Sequence, residues 1–156
     1  MLLVVDSNII FSAILNPKSK IGQIIINGSK YFSFISVEQL KFEIKNHEEK
    51  ILKISELNHS DFLKIYEFIE SKIKFVHYLL INDDNYKEAE ELTHDIDPDD
   101  LLFVGLSLQF RCKLWSGDKK LIKGLQKKEF DQTITTEELF QIYLNNEFDK
   151  RYKKEK

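Results

Sequence analysis

The chain has 156 residues, 42% of them hydrophobic and 31% charged, which is enough apolar material for one core and too little length for two domains of ordinary size. Its 26 acidic and 23 basic side chains leave a net charge of −3, and the single cysteine, Cys112, excludes an intramolecular disulfide and a multi-cysteine zinc site. No apolar run reaches the roughly 18 residues needed to span a bilayer. The opening MLLVVDSNII carries Asp6 inside its apolar stretch and has no leading positive region, so the expectation is a cytoplasmic domain without a signal peptide or a membrane partner.

In chain order, Leu2 to Val5 is a short β-branched run ending at Asp6, the pattern of a buried strand. Ile9 to Leu15 follows as a helix stopped by Asn16-Pro17, because a residue before proline disfavours the helical region. Gly22 to Gly28 reads as a second short helix and Tyr31 to Ile35 as the next strand. Ser36 can cap a helix with Val37, Leu40, Ile44 and Ile51 on its apolar side. Ser60 and Asp61 open another, with Phe62, Ile65, Phe68, Ile69 and Ile73 as its apolar face. Phe75 to Leu80 reads as a strand and Asp83 to Thr93 as a polar helix.

Asp97-Pro98-Asp99-Asp100 before LLFVGLSL has the form of a helix start, with Asp97 as cap and Pro98 in the first position. Lys113 to Ser116 is a strand, Lys119 to Gln126 a helix, and Gln132 to Ile134 a last strand. Thr135 and Glu138 form a capping box for the final helix. The expected organisation is one domain over residues 1–148 with a basic, fraying tail over 149–156. Strands alternating with helices predict an α/β fold, a three-layer α/β/α sandwich around a mainly parallel sheet of about five strands.

In such sheets ligands bind beyond the carboxyl ends of the strands. Asp6 and Asp118 each follow a strand, and Asp97 and Asp100 open a helix that starts at the same edge. Glu43, two turns into the helix after YFSFI, can lean over it, although Glu38 is an alternative acid in that segment. Carboxylates gathered this way repel one another unless a cation neutralises them, and hard oxygen donors suit Mg²⁺ or Mn²⁺. The chemistry this points to is metal-assisted phosphodiester hydrolysis. Asp6, Asp97, Asp99, Asp100 and Asp118 also stand where helix-start acids are favoured for capping or first-turn charge alone.

The charge is unevenly spread. Asp83 to Asp100 holds nine acids against Lys87, a net of −8, whereas Arg111 to Lys128 holds seven bases against Asp118, a net of +6. Lys119, Lys120, Lys123 and Lys127 share one broad helical face and can contact phosphates. Arg111 and Arg151 are the only arginines, so binding by backbone charge is expected rather than bidentate base readout. Trp115 reads as core, Cys112 as inert packing, and the four histidines show no ligand spacing.

VVDSNIIFSAIL, FISVEQLKFEI, DIDPDDLLFVGLSL and KLWSGDKKLIKGL, in that order, resemble the motifs of PIN-domain nucleases, from Leu2 to about Thr135. Gly105 and Ser107 stand where that family usually has alanine. The resemblance implies a PIN-like fold, dependence on Mg²⁺ or Mn²⁺, and ribonuclease activity on RNA. It makes Asp6, Glu43, Asp100 and Asp118 the catalytic acids, with Asp6, Asp97, Asp100 and Asp118 as metal ligands and Asn8 and Ser116 as polar supports. It further implies the toxin of a toxin-antitoxin pair, inhibited by a small antitoxin protein. The other readings are a PIN-like RNA- or protein-binding module with weak catalysis, and a phosphoacceptor domain built on Asp6. Ile21 to Ile26 and the last helix offer apolar surface for a homodimer or for the core.

Overall fold

The structure is a computed structural model and describes residues 1–154. Five strands, β1 (Leu2–Val5), β2 (Ser33–Val37), β3 (Ile73–Val76), β4 (Lys113–Trp115) and β5 (Thr133–Ile134), form one sheet in the order β3-β2-β1-β4-β5. Every pairing is parallel, with Val4 opposite Ile35 on one side and Leu114 on the other. The central strand is therefore the first in sequence. Leu3, Val4 and Val5 are wholly buried, as a strand covered on both faces demands. The expected α/β architecture with a parallel five-stranded sheet is the one observed.

Nine helices surround it among the described residues: α1 (Ser7–Leu15), α2 (Lys20–Gly28), α3 (Gln39–Asn46), α4 (Glu48–Ser55), α5 (His59–Glu70), α6 (Asp83–Thr93), α7 (Leu101–Phe110), α8 (Lys119–Lys127) and α9 (Thr136–Lys154). None is long and apolar enough to cross a membrane. Short 3₁₀ turns at Tyr78–Leu80 and Pro98–Asp100 complete the described elements. Ile24 and Ile25 of α2 are fully buried, so the core reading of that segment holds for them. Trp115 is fully buried and donates its Nε1–H to the Thr136 hydroxyl at 3.1 Å.

Several local expectations change. Ser36 is a residue of β2, where its hydroxyl donates to the Val5 carbonyl at 2.9 Å, and it caps nothing. The single helix expected after it is two, broken at His47. Helix α5 is capped by Asn58, which accepts from the Asp61 amide at 2.8 Å; Phe62 and Ile69 are buried while Phe68 is 49% exposed. Ile73 opens β3, which ends at Val76, and the rest of the expected strand is a cap at His77 and the Tyr78–Leu80 turn. The capping box is present: the Glu138 carboxylate accepts from the Thr135 amide at 2.8 Å, and the Thr135 hydroxyl accepts from the Glu138 amide at 3.3 Å. Helix α9 continues through Lys154, so fraying is not seen from Arg151 to Lys154; Glu155 and Lys156 lie outside the described residues.

The two small residues of α7 serve packing. A Cβ on Gly105 would lie 2.9 Å from Ile81 Cδ1, so its absence admits Ile81 against the helix. The Ser107 hydroxyl donates to the Cys112 carbonyl at 2.5 Å and closes the turn into β4. Gly22 is the most closely approached of the glycines: a Cβ there would lie 2.1 Å from the Pro17 carbonyl oxygen. Gly→Ala usually stabilises a helix by about 1 kcal/mol, but here backbone must move. We expect Gly22→Ala to destabilise the chain by about 1–3 kcal/mol, read as a lower urea midpoint; an unchanged or higher midpoint would count against the tight α1–α2 corner.

Candidate metal centre

The parallel sheet sets the site. Strand β1 delivers Asp6 and strand β4 delivers Ser116 and Asp118 to the same edge, on neighbouring strands, while α7 starts there with Asp100. Asp6, Ser7, Asn8, Glu43, His47, Asp97, Asp99, Asp100, Phe103 and Asp118 line one open cavity of about 480 Å³. All five acids read from the sequence as site residues are thus in one place. Glu43 faces this cavity, whereas Glu38 lines a separate depression with Lys41, Lys45 and Glu70.

Hydrogen bonds show which acids have structural duties. Asp6 occupies the cap position of α1 but makes no side-chain cap bond. It instead accepts from the Ser116 hydroxyl at 2.5 Å and the Ser7 hydroxyl at 3.3 Å. Ser116 in turn accepts from the Asp118 amide at 3.0 Å, so one buried hydroxyl ties the two strand-end acids together. Asn8 Oδ1 accepts from the Gly117 amide at 3.3 Å and holds the same loop against α1. Asp118 Oδ1 does cap α8, accepting from Lys120 and Leu121 amides at 2.9 and 3.0 Å, and Asp97 Oδ1 caps the following turn through the Asp99 amide at 3.0 Å. Asp100 makes no cap bond.

Burial and mutual repulsion dominate the electrostatics. Asp100, 8% exposed, is pushed up to about 7, first by burial and then by the charges of Asp6, Asp97, Asp118 and Asp99. Burial raises Asp6 too; its hydroxyl and amide hydrogen bonds oppose the shift and Asp118 adds to it. Glu43 is raised by burial and by Asp99, with His47 acting the other way. No lysine, arginine or histidine forms an ion pair with any of these six acids among the described residues. No three of these side chains already converge into an ion cage either. A hard divalent cation does not need one, because Mg²⁺ keeps several waters and takes one or two carboxylates directly. A set of hard oxygen donors, mutually repelling and without an ion-pair partner among the described residues, fits such an ion.

The lysines stand apart. Lys119, Lys120, Lys123 and Lys127 line a second groove of about 470 Å³ with Asp95 and Ile96, starting directly after Asp118 along α8. Lys128 leaves that face: its ammonium donates to the Glu91 and Leu92 carbonyls and pairs with Asp95. Four cavity residues had no functional reading from sequence. Ser7 is the residue after Asp6; His47 is one helical turn beyond Glu43, a spacing that puts both on one face. Asp99 was legible only as a helix-start acid, and Phe103 only as core.

The PIN domain profile matches residues 4–142, and the chain belongs to the PIN domain family. Among curated proteins none is similar enough in sequence to count as a match. Among solved structures the chain is similar in fold to one described as VapBC2 from Rickettsia felis bound to a DNA fragment from their promoter. The identity is 13% and the TM-score 0.60, covering 86% of this chain and 97% of that one.

The raised Asp100 sets a pH test. Its folded value of about 7 lies above the ordinary 3.8, so the folded chain binds the proton more tightly than the unfolded one. Stability from this group is therefore full below about pH 4 and is lost as pH rises through about 7. In chelator, Asp100→Asn is expected to raise the melting temperature by a few degrees at pH 8 and hardly at all at pH 4. A variant less stable than the parent at pH 8 would refute crowding of like charges.

Proposed function

We propose that this chain is a metal-dependent endoribonuclease that hydrolyses RNA phosphodiester bonds at the acid cavity, acting in the cytoplasm as the toxin of a toxin-antitoxin pair. The observation that carries the hydrolytic reading is the gathering of Asp6, Asp97, Asp100, Asp118 and Glu43 in one cavity with no ion-pair partner among the described residues. Membership of the PIN domain family and the fold likeness to VapBC2 support the nuclease and toxin parts. The partner implied is a small antitoxin protein.

Asp6, Asp100 and Asp118, with Asp97 beside them, would hold Mg²⁺ or Mn²⁺. Such an ion, when bound, supplies an activated water and offsets the charge developing on the phosphoryl group. Ser116 orients Asp6 through its hydroxyl and fixes Asp118 through its amide, and Asn8 steadies the loop between them. Glu43, whose carboxyl is partly desolvated in the cavity and raised above its ordinary value, is suited to hold a proton there. Lys119, Lys120, Lys123 and Lys127 draw in the RNA backbone through charge, without reading bases.

A second reading, a PIN-like binding module for RNA or protein with weak catalysis, draws on the cap bonds of Asp97 and Asp118, since two of the acids already have structural duties. Two measurements decide. Asp6→Asn and Asp118→Asn are expected to abolish Mn²⁺-dependent RNA cleavage while the far-ultraviolet circular dichroism is unchanged, and Ser116→Ala to lower it about 10–100-fold. Cleavage at the parent's rate in excess chelator would sink the hydrolytic reading. Replacing the four groove lysines by alanine should lessen the salt dependence of RNA affinity, by a slope of up to about 0.7 per lysine lost. An unchanged slope would place the backbone elsewhere.

A further inference from the structure

Next to the acid cavity lies a second depression of about 340 Å³, walled by Gln39, Tyr78, Tyr86, Pro98, Asp99 and Leu102. Its volume falls at the small end of ligand pockets, about 300–1,000 Å³. Asp99 lines both, so the two share a wall. From the geometry we infer that this depression is a subsite for one unpaired nucleobase of the strand whose phosphate lies at the acids, an inference that rests on the nuclease reading.

Three observations carry it. The first is Gln39, the first residue of α3, whose Oε1 is buried and has no hydrogen-bond partner among the described residues. A buried, unpaired acceptor is unfavourable and is expected to find a donor. Every nucleobase has an N–H group on an edge that an unpaired strand leaves open, and a side-chain amide is a common partner for such edges.

The second is the aromatic wall. Tyr78 and Tyr86 are 38% and 39% exposed and both line this one pocket. Tyr78 is not loose: the His77 ring stacks on it at 4.8 Å with the planes 26° apart, and the Tyr78–Leu80 turn is capped by His77 Nδ1. A ring held in place loses little freedom when a base stacks on it, and such stacking tolerates any base. Tyr86 is carried by α6, whose start is fixed by Asn82 accepting from the Asn85 amide at 2.8 Å.

The third is position. The Pro98–Asp100 turn contributes Asp99 and Pro98 to the pocket and Asp100 to the acids, so one turn spans both sites. The lysine groove lies along α8 and this pocket between α3, α6 and α7, so the strand's backbone and one of its bases are given separate holds.

The test separates base binding from cleavage. In chelator, binding of AMP, CMP, GMP and UMP is followed by NMR titration on the full chain, with ribose phosphate as the baseless control. The parent should bind all four more tightly than the control. Tyr78→Ala, at an exposed position, and Gln39→Ala, at a half-buried one, should weaken the nucleotides about five- to hundredfold and leave the control unchanged. In Mn²⁺ the same variants should raise KM for a short unstructured RNA more than they lower kcat.

Nucleotides binding no better than ribose phosphate, with RNA still cleaved by the parent, would overturn the subsite and leave the nuclease standing. Base-dependent binding lost in Tyr78→Ala, with no cleavage in Mn²⁺ by the parent, would support the subsite and overturn the nuclease. If the variants change only self-association in sedimentation, the pocket is a protein contact and the inference fails.

Discussion

Parallel pairing brings every strand's carboxyl end to one edge, and the placement of β1 in the middle of the sheet puts Asp6 at the centre of that edge. Asp118 comes from the adjacent strand, and Asp100 from the helix that must begin there to cross back. The acids are not gathered by attraction; they are forced together by the geometry of a buried sheet whose core residues exclude any other register. Leu3, Val4 and Val5 alternate between two covered faces, and a slip of one residue would exchange those faces and move Asp6 off the edge. The burial of Asp100 and the repulsion from its neighbours, which together raise it, are thus set against the burial of the central strand. They persist because the core holds the acids where they are.

Ser116 shows how the fold limits that repulsion without cancelling it. Its hydroxyl donates to Asp6 and accepts from the Asp118 amide, so both acids are positioned by neutral dipoles rather than by a cation. A lysine in its place would have neutralised Asp6 and removed the reason for an ion to bind. The same logic separates caps from donors: Asp118 uses Oδ1 for α8, and Asp6, at an equivalent cap position, forgoes the cap and turns to the serines. Equivalent places in the chain carry different duties because different neighbours reach them.

What was legible from sequence follows from this. Strand-end acids could be read because a run such as LLVV followed by Asp has few other meanings in an alternating chain, and the sheet then brings such ends together. Glu43 could not be separated from Glu38, since both lie on the same stretch and only the turn of α3 decides which faces the cavity. A serine after a strand usually caps, but at Ser36 the Val5 carbonyl on the neighbouring strand takes the hydroxyl, and the strand runs on to Val37. The stretch from Phe75 to Leu80 reads as strand by composition, yet it ends at Val76 because His77 caps a turn instead. Tyr78 faces a pocket only because the strand stops short, which composition does not show. His47 was invisible as a cavity residue because its part depends on the helix break it creates.

The net charge of −3 conceals a separation that the fold maintains. The basic and acidic segments are joined by one ion pair among the described residues: Lys128 ties α8 to the end of α6 through Asp95 and two carbonyls. That bond uses a lysine from beyond the α8 face and an acid from outside the cavity. It anchors the basic helix beside the acidic segment without joining the four groove lysines to the cavity acids, none of which has an ion-pair partner among the described residues. Had the two sets paired, each would have satisfied the other, and neither a cation nor a phosphate would gain by entering. On the nuclease reading a polyanion is drawn by positive charge and a metal ion is held by negative charge, and a chain with a small total charge offers both by holding its own opposite charges apart.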